Sequence, residues 1–268
     1  QSGGGIPVST PRIGDGRVAV WGVRGMRVLL ASVVLPWMFG PYAQQLQMVG
    51  QDLMNRNHSI YWLGVTYSLE ERVYTAEDIA KASNVPSRPS GKGVEFAERV
   101  KFLAIQKEKY QGALPVMALN RLISLHHIDV FVSLMDLDKF TIDEPLIVPS
   151  IAWWPNHFAE LDEVDRTALG AFTHVAALSP SSEAMLARSM PELHVQCIPH
   201  AIVIPESVRS AGPASLARAA LRVQYGVPED AFLVLVSAGN YEFHNRKSLD
   251  TSLLAFKVRV LNPLPLTL

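Results

Sequence analysis

The chain has 268 residues, with 24 Lys and Arg against 25 Asp and Glu, and this net charge of −1 excludes the basic footprint of a nucleic-acid-binding surface. Apolar residues make up 49% and charged residues 18%, enough for a large core and too apolar for a broadly disordered chain. The single cysteine, Cys197, excludes an internal disulfide and a thiolate metal cluster and points to a reducing, cytoplasmic setting.

Residues 1–25 mix Gly, Pro and Arg without apolar periodicity and read as a disordered leader. The run from Val28 to Val34 is short, apolar and rich in branched side chains, the pattern of a strand buried on both faces of a parallel sheet. Extended to Phe39 and preceded by Met26-Arg27, it also has the outline of a signal peptide, but no A-x-A-like cleavage site follows. The run is too short for the ~20 residues of a membrane-spanning helix, and Pro36 interrupts it. After Gly40-Pro41, the positions Tyr42, Leu46, Val49 and Leu53 share one helical face up to about Asn55. A second apolar run over 59–65 completes a βαβ unit with a right-handed crossover.

Residues 66–93 are polar and interrupted by Pro86 and Pro89, so they read as an excursion from the sheet with room for a short helix. The alternation then resumes. Helices are predicted over 114–127, 158–169 and 181–189, and strands over 129–134, 146–152, 173–179 and 193–199. Strands separated by helices imply a doubly wound, Rossmann-like α/β domain over 26–203. The polar, Pro- and Gly-bearing stretch 204–213 reads as a linker. Residues 214–268, with a helix at Leu216–Val223, a strand at Phe232–Ser237 and a helix at Leu249–Val260, are too few for a second domain of that kind. They read as an incomplete second Rossmann-like domain, whose uncovered apolar surface predicts self-association.

Ligands of open α/β sheets bind beyond the carboxyl ends of the strands, which focuses attention on the loops there. Gly40, between the first strand and the first helix, would admit a ligand close to the backbone, or would serve only a tight turn. Trp153 and Trp154 follow the predicted strand 146–152. Neighbouring strand residues point to opposite faces, so one indole is expected to line a cleft, where it would suit a sugar ring. Asn156 and His157 would then bond hydroxyls or assist proton transfer; the alternative is a helix start capped by Asn156. His200 follows the strand 193–199, as a structural or a functional imidazole. Gly239 and Asn240 lie in a strand-to-helix loop that ends in Arg246-Lys247, fixed cations where a helix N-terminus already favours anions. That combination reads as a phosphate site. No spaced ligand set for a metal is present, nor a Gly-x-x-x-x-Gly-Lys fingerprint.

Several segments together, Ala176-Ala177-Leu178-Ser179-Pro180, Val195 to Ala201, Tyr225-Gly226-Val227-Pro228-Glu229-Asp230-Ala231-Phe232, Asn245-Arg246-Lys247 and Leu254-Ala255-Phe256, resemble the retaining GT-B glycosyltransferases of family 4, over about Met26–Val258. The resemblance implies two Rossmann-like domains facing each other across a cleft, the first binding an acceptor and the second a nucleotide-sugar donor. It implies that Arg246 and Lys247 neutralise the donor diphosphate beside Gly239 and Asn240. The nucleotide-sugar is then a co-substrate, no metal or other cofactor is needed, and attack occurs on the face the leaving phosphate vacates. His157 is the approximate counterpart of the family's acceptor-domain histidine, and His200-Ala201 replaces an interdomain Asn-Gly. The family's Glu-x7-Glu pair has no counterpart here, which implies weak or absent donor binding by this chain. The rival expectation is a non-catalytic glycan- or protein-binding module derived from such an enzyme.

Overall fold

The computed structural model describes residues 25–38, 40–67, 69–81, 91–105, 113–156, 160–202, 216–231, 250–252 and 254. The chain divides into two compact units, Gln1–Ile202 and Val203–Leu268. The leader read over 1–25 falls outside the described residues except for Gly25, and so do the linker 204–213 and the predicted strand Phe232–Ser237.

The first unit is built on a parallel sheet of seven strands in the order β3-β2-β1-β5-β7-β8-β9. These are β1 (Arg27–Ser32), β2 (Ser59–Gly64), β3 (Lys101–Leu103), β5 (Val130–Leu134), β7 (Ser150–Trp154), β8 (His174–Ala177) and β9 (His194–Cys197). A short pair of β4 (Leu114–Pro115) and β6 (Phe140–Thr141) lies outside it. The chain winds outward from β1 through β2 to β3, then returns to the other flank of β1 with β5. The topological switch point therefore falls between β1 and β5.

Helices cover both faces, which is why the strands read as unbroken apolar runs rather than alternating ones. Leu29, Phe131, Ala152, Trp154 and Val175 point to one face. There they meet Leu119 and Ile123 of α4 (Val116–His126), Leu169 of α5 (Glu163–Gly170) and Leu186 of α6 (Pro180–Ser189). Val28, Leu30, Trp62, Val132 and Trp153 point to the other, against Leu46 of α1 (Pro41–Asn55), Ile79 of α2 (Ala76–Lys81) and Phe96 of α3 (Gly91–Ala97). Burial of a side chain such as Leu46, which is inaccessible to solvent, contributes about 1.5–3 kcal/mol.

Local chemistry fixes the helix ends. Asp162 caps α5 by accepting from the Asp165 N–H at 2.7 Å, and Ser179 caps α6 by accepting from the Ser182 N–H at 3.2 Å. α1 and α4 both end in left-handed residues, Asn57 (φ 67°) and His127 (φ 52°), which let His58 and Ile128 donate back to Leu53 and Ile123. In the second unit, α7 (Leu216–Gln224) ends the same way at Gly226 (φ 63°), with Val227 N–H donating to Arg222 O at 2.8 Å. The Arg222 guanidinium also donates to Glu229 O and Ala231 O, tying the following turn to the helix.

Three expectations need correction. The strand expected over 146–152 is β7 at Ser150–Trp154, because Pro145 and Pro149 keep the preceding residues out of the ladder. The helix expected from 158 starts at Glu163, where Asp162 supplies the cap. The short strand β3 falls in a stretch with no predicted element, and residues 66–93 hold α2 and the start of α3. Among the described residues no helix is long and apolar enough to cross a membrane.

Candidate functional site

The carboxyl end of β1 leads through residues 33–40 into α1. Gly40 sits at the N-terminal cap of α1 with φ 153° and ψ 157°, a conformation that favours glycine, and the space a Cβ would fill is open. Pro41 occupies the first helical turn, no side chain caps the helix, and the first turn holds no acidic residue. The positive end of the α1 dipole is therefore not offset by a local carboxylate. Beside it, the Ser32 hydroxyl donates to Leu134 O at 3.0 Å, joining β1 to β5 at the switch point.

The segment leaving β9 turns back to this crevice. Its anchor is Gln45, a buried side chain on α1 that accepts from the Ala201 N–H at 2.8 Å and donates to Ala201 O at 2.7 Å. Ile198 O accepts from the Trp153 indole N–H at 2.8 Å. Between these ties the His200 ring is held edge-on to Trp153 (centroids 5.2 Å apart, 83°) and to Tyr42 (6.3 Å, 71°). His200 Nε2 is buried and has no hydrogen-bond partner in the structure. Burial pushes the imidazole below the usual histidine range, so the ring is neutral at pH 7 and retains one nitrogen lone pair.

The tryptophan expectation fails in an instructive way. Because β7 ends two residues later than the predicted strand, Trp153 and Trp154 are both strand residues, and each faces one of the two cores. Their exposures are 6% and 4%, so neither indole face is left for a sugar ring. Two adjacent indoles can both be buried when helices cover both sides of a sheet. Trp153 instead packs against His200. Asn156 is half-buried and donates its backbone N–H to Trp154 O at 3.1 Å; it does not cap α5, whose cap is Asp162.

His157, Gly239, Asn240, Arg246 and Lys247 lie outside the described residues. The structure thus brings together Gly40 and His200 with two residues that were not among the candidates, Tyr42 and Gln45. A signal for Gln45 was present in the sequence. It lies three residues after Tyr42 and one before Leu46, so it is a polar residue on the helix face that packs on the sheet. Among the described residues no group of three or more His, Cys, Asp or Glu side chains is placed to hold a metal ion.

No family model matches the chain, and no curated protein matches it. Among solved structures, a crystal structure of a glycosyltransferase from Rickettsia africae ESF-5 aligns with a TM-score of 0.48 and 8% identity. The alignment covers 87% of this chain and 58% of that one, so the chain spans little more than half of that structure's length.

Proposed function

We propose that the chain is part of a retaining glycosyltransferase that moves a sugar from a nucleotide-sugar donor to an acceptor in the cytoplasm. In this reading, residues 26–203 form the acceptor-side domain, 204–213 a linker and 214–268 the start of a donor-binding domain. The observation that carries it is the convergence at the β1 carboxyl end of the open glycine Gly40, a helix N-terminus without a local acid, and the neutral imidazole of His200. Such a crevice suits a neutral, hydroxyl-bearing acceptor beside a phosphorylated co-substrate. The segment resemblance that ends in Asn245-Arg246-Lys247 supplies the second half of the reading.

The chemistry asked of each residue is specific. Arg246 and Lys247, beside Gly239 and Asn240, would take up the charge that develops on the departing nucleoside diphosphate, so fixed cations do the work of a metal. His200, with a free lone pair and little solvent, would accept a hydrogen bond from an acceptor hydroxyl, and His157 would serve the reacting centre. The test is calorimetric titration with UDP and with GDP of the chain and of its Arg246→Ala/Lys247→Ala variant. Saturable binding that the variant loses supports the reading. Absence of binding overturns the phosphate site assigned to this chain and favours, for the chain itself, a non-catalytic glycan- or protein-binding module, whose aromatic and histidine cluster lies within the first unit.

A further inference from the structure

The sheet holds a second group of polar side chains that the proposed reaction does not use. His174 and His194 are the first residues of β8 and β9 and are register partners in the parallel ladder. Both are exposed, and their rings stack at 5.2 Å between centroids with a 23° tilt. They line an open concavity of about 520 Å³ along the sheet face, together with Ile151, Ala176, Gln196 and Ile198. Helix α6 packs on the other face of these strands, through Leu186 against Val175 and Ala177.

The tautomer of one ring follows from its neighbours. The Thr173 hydroxyl donates its single proton to Ser150 O at 2.7 Å and accepts from the Ser150 N–H at 2.8 Å. Its remaining lone pair lies 3.1 Å from His174 Nδ1, so Nδ1 carries the hydrogen and donates it to Thr173. Ser150 is wholly buried and its own hydroxyl accepts from the Thr173 N–H at 3.1 Å, which holds the threonine in place. The lone pair of neutral His174 is therefore on Nε2. A backing hydrogen bond to the other ring nitrogen is what a metal-ligating histidine ordinarily has: it sets the tautomer, orients the ring and raises its basicity.

We propose that His174 and His194 form a two-imidazole site for a divalent transition-metal ion of borderline softness, Cu2+, Ni2+ or Zn2+. Imidazole nitrogen suits these ions, and Cu2+ should bind most tightly of the three. Two nitrogens at bonding distance from one tetrahedral ion lie roughly 3.3 Å apart, closer than the stacked rings stand at 5.2 Å between centroids, so binding requires His194 to turn about its side-chain bonds toward Nε2 of His174, whose ring the Thr173 bond holds. Among the described residues no third His, Cys, Asp or Glu completes the set, so water or an oxygen ligand in the concavity fills the remaining positions. The site is open, at the amino ends of β8 and β9, whereas the crevice at Gly40 lies at the carboxyl end of β1.

The test uses the whole chain, in a buffer that does not chelate metals, titrated with CuCl2 and ZnCl2 by calorimetry, with Cu2+ electron paramagnetic resonance as the structural readout. The expected result is a saturable site of one ion per chain, with nitrogen hyperfine splitting from two imidazoles. His174→Ala and His194→Ala should each abolish it while leaving the unfolding midpoint unchanged, since both side chains are exposed. Thr173→Val should weaken binding about tenfold through loss of the backing hydrogen bond. Undiminished binding in either histidine variant, a spectrum without the two imidazoles, or no saturable binding would overturn the proposal. An unchanged affinity in a folded Thr173→Val variant would overturn the assigned role of the threonine.

Discussion

The two edges of the sheet are closed by different means. At β3, Phe102 and Leu103 are buried, and the outward Phe102 N–H donates to Arg72 O at 2.9 Å. The segment that carries Arg72 also delivers Tyr74, whose ring meets Phe102 at 5.2 Å and Trp37 at 5.9 Å, and the Arg72 guanidinium sits 4.6 Å above that ring. At β9, by contrast, His194 and Gln196 are exposed, and the Cys197 N–H is satisfied by one carboxylate oxygen of Glu183 at 2.9 Å. One edge is sealed by an apolar lid; at the other, among the described residues, the outward contact is this polar tie from α6. An edge needs apolar cover to become part of the core, and a hydrogen bond alone leaves it at the surface.

The largest effect should come from removing the lid's anchor. Tyr74→Ala deletes an aromatic side chain that is 4% exposed and touches both Trp37 and Phe102, so it should cost about 3–5 kcal/mol in urea unfolding. Hydrogen exchange should then speed up across 101–103 well before it does at β8. Equal loss of protection at both places would show that the lid does not act locally. The β9 tie should matter less. Glu183→Ala leaves the Cys197 N–H without its acceptor at a half-buried site and removes an acid from the first turn of α6, for a cost of about 1–2 kcal/mol. Glu183→Gln keeps an acceptor oxygen and should recover part of it. If the alanine variant matched the native protein in stability, the β9 edge would need another explanation.

The contrast also explains what the sequence made legible. Strand β1, helix α1 and strand β2 are read to within two residues, because two-sided burial writes unbroken apolar runs and one-sided burial writes Tyr42, Leu46, Val49 and Leu53 at helical spacing. The lid is not legible: Tyr74 and Ile79 lie in a stretch with no apolar periodicity, Tyr74 beside the exposed Val73, and β3 is three residues long and begins with lysine. Their burial depends on partners far away in the chain, Trp37 above all. The same holds at the candidate site. Gly40 is visible because a glycine before a helix has a local reason to be there, whereas the Gln45 tie to Ala201 spans more than half of the first unit. The tryptophans mislead because a strand end two residues out of place turns core residues into loop residues.

The smallest expected effect is also the finest test of the comparison, since one histidine on the β3 side and one in the segment that leaves β9 both lie where burial disfavours ionisation. His126 ends α4 near the β3 side, and His200 follows β9. The unfolded chain takes up these protons below about pH 6.5, whereas the folded rings take them up only at lower pH, so acidification through that window favours unfolding. The two rings differ in what meets the new charge. Around His126 stand Glu71, with a carboxylate oxygen 3.4 Å from Nε2, and Lys101, which holds Glu71 at 2.8 Å. Tyr61 packs on the ring, and Arg27 donates to the His126 carbonyl. The carboxylate offsets part of the burial cost, and the Lys101 ammonium holds Glu71 ionised below the usual carboxylate range, so the partner persists as the pH falls. At His200 desolvation is the cause of the shift, and among the described residues no carboxylate opposes it. Urea unfolding between pH 7.5 and pH 5.5 should therefore show stability falling with acid, and His200→Gln should flatten that slope more than His126→Gln does. The reverse order would mean that Glu71 does not receive the His126 proton's charge, and that the β3 side is sealed by its apolar lid alone.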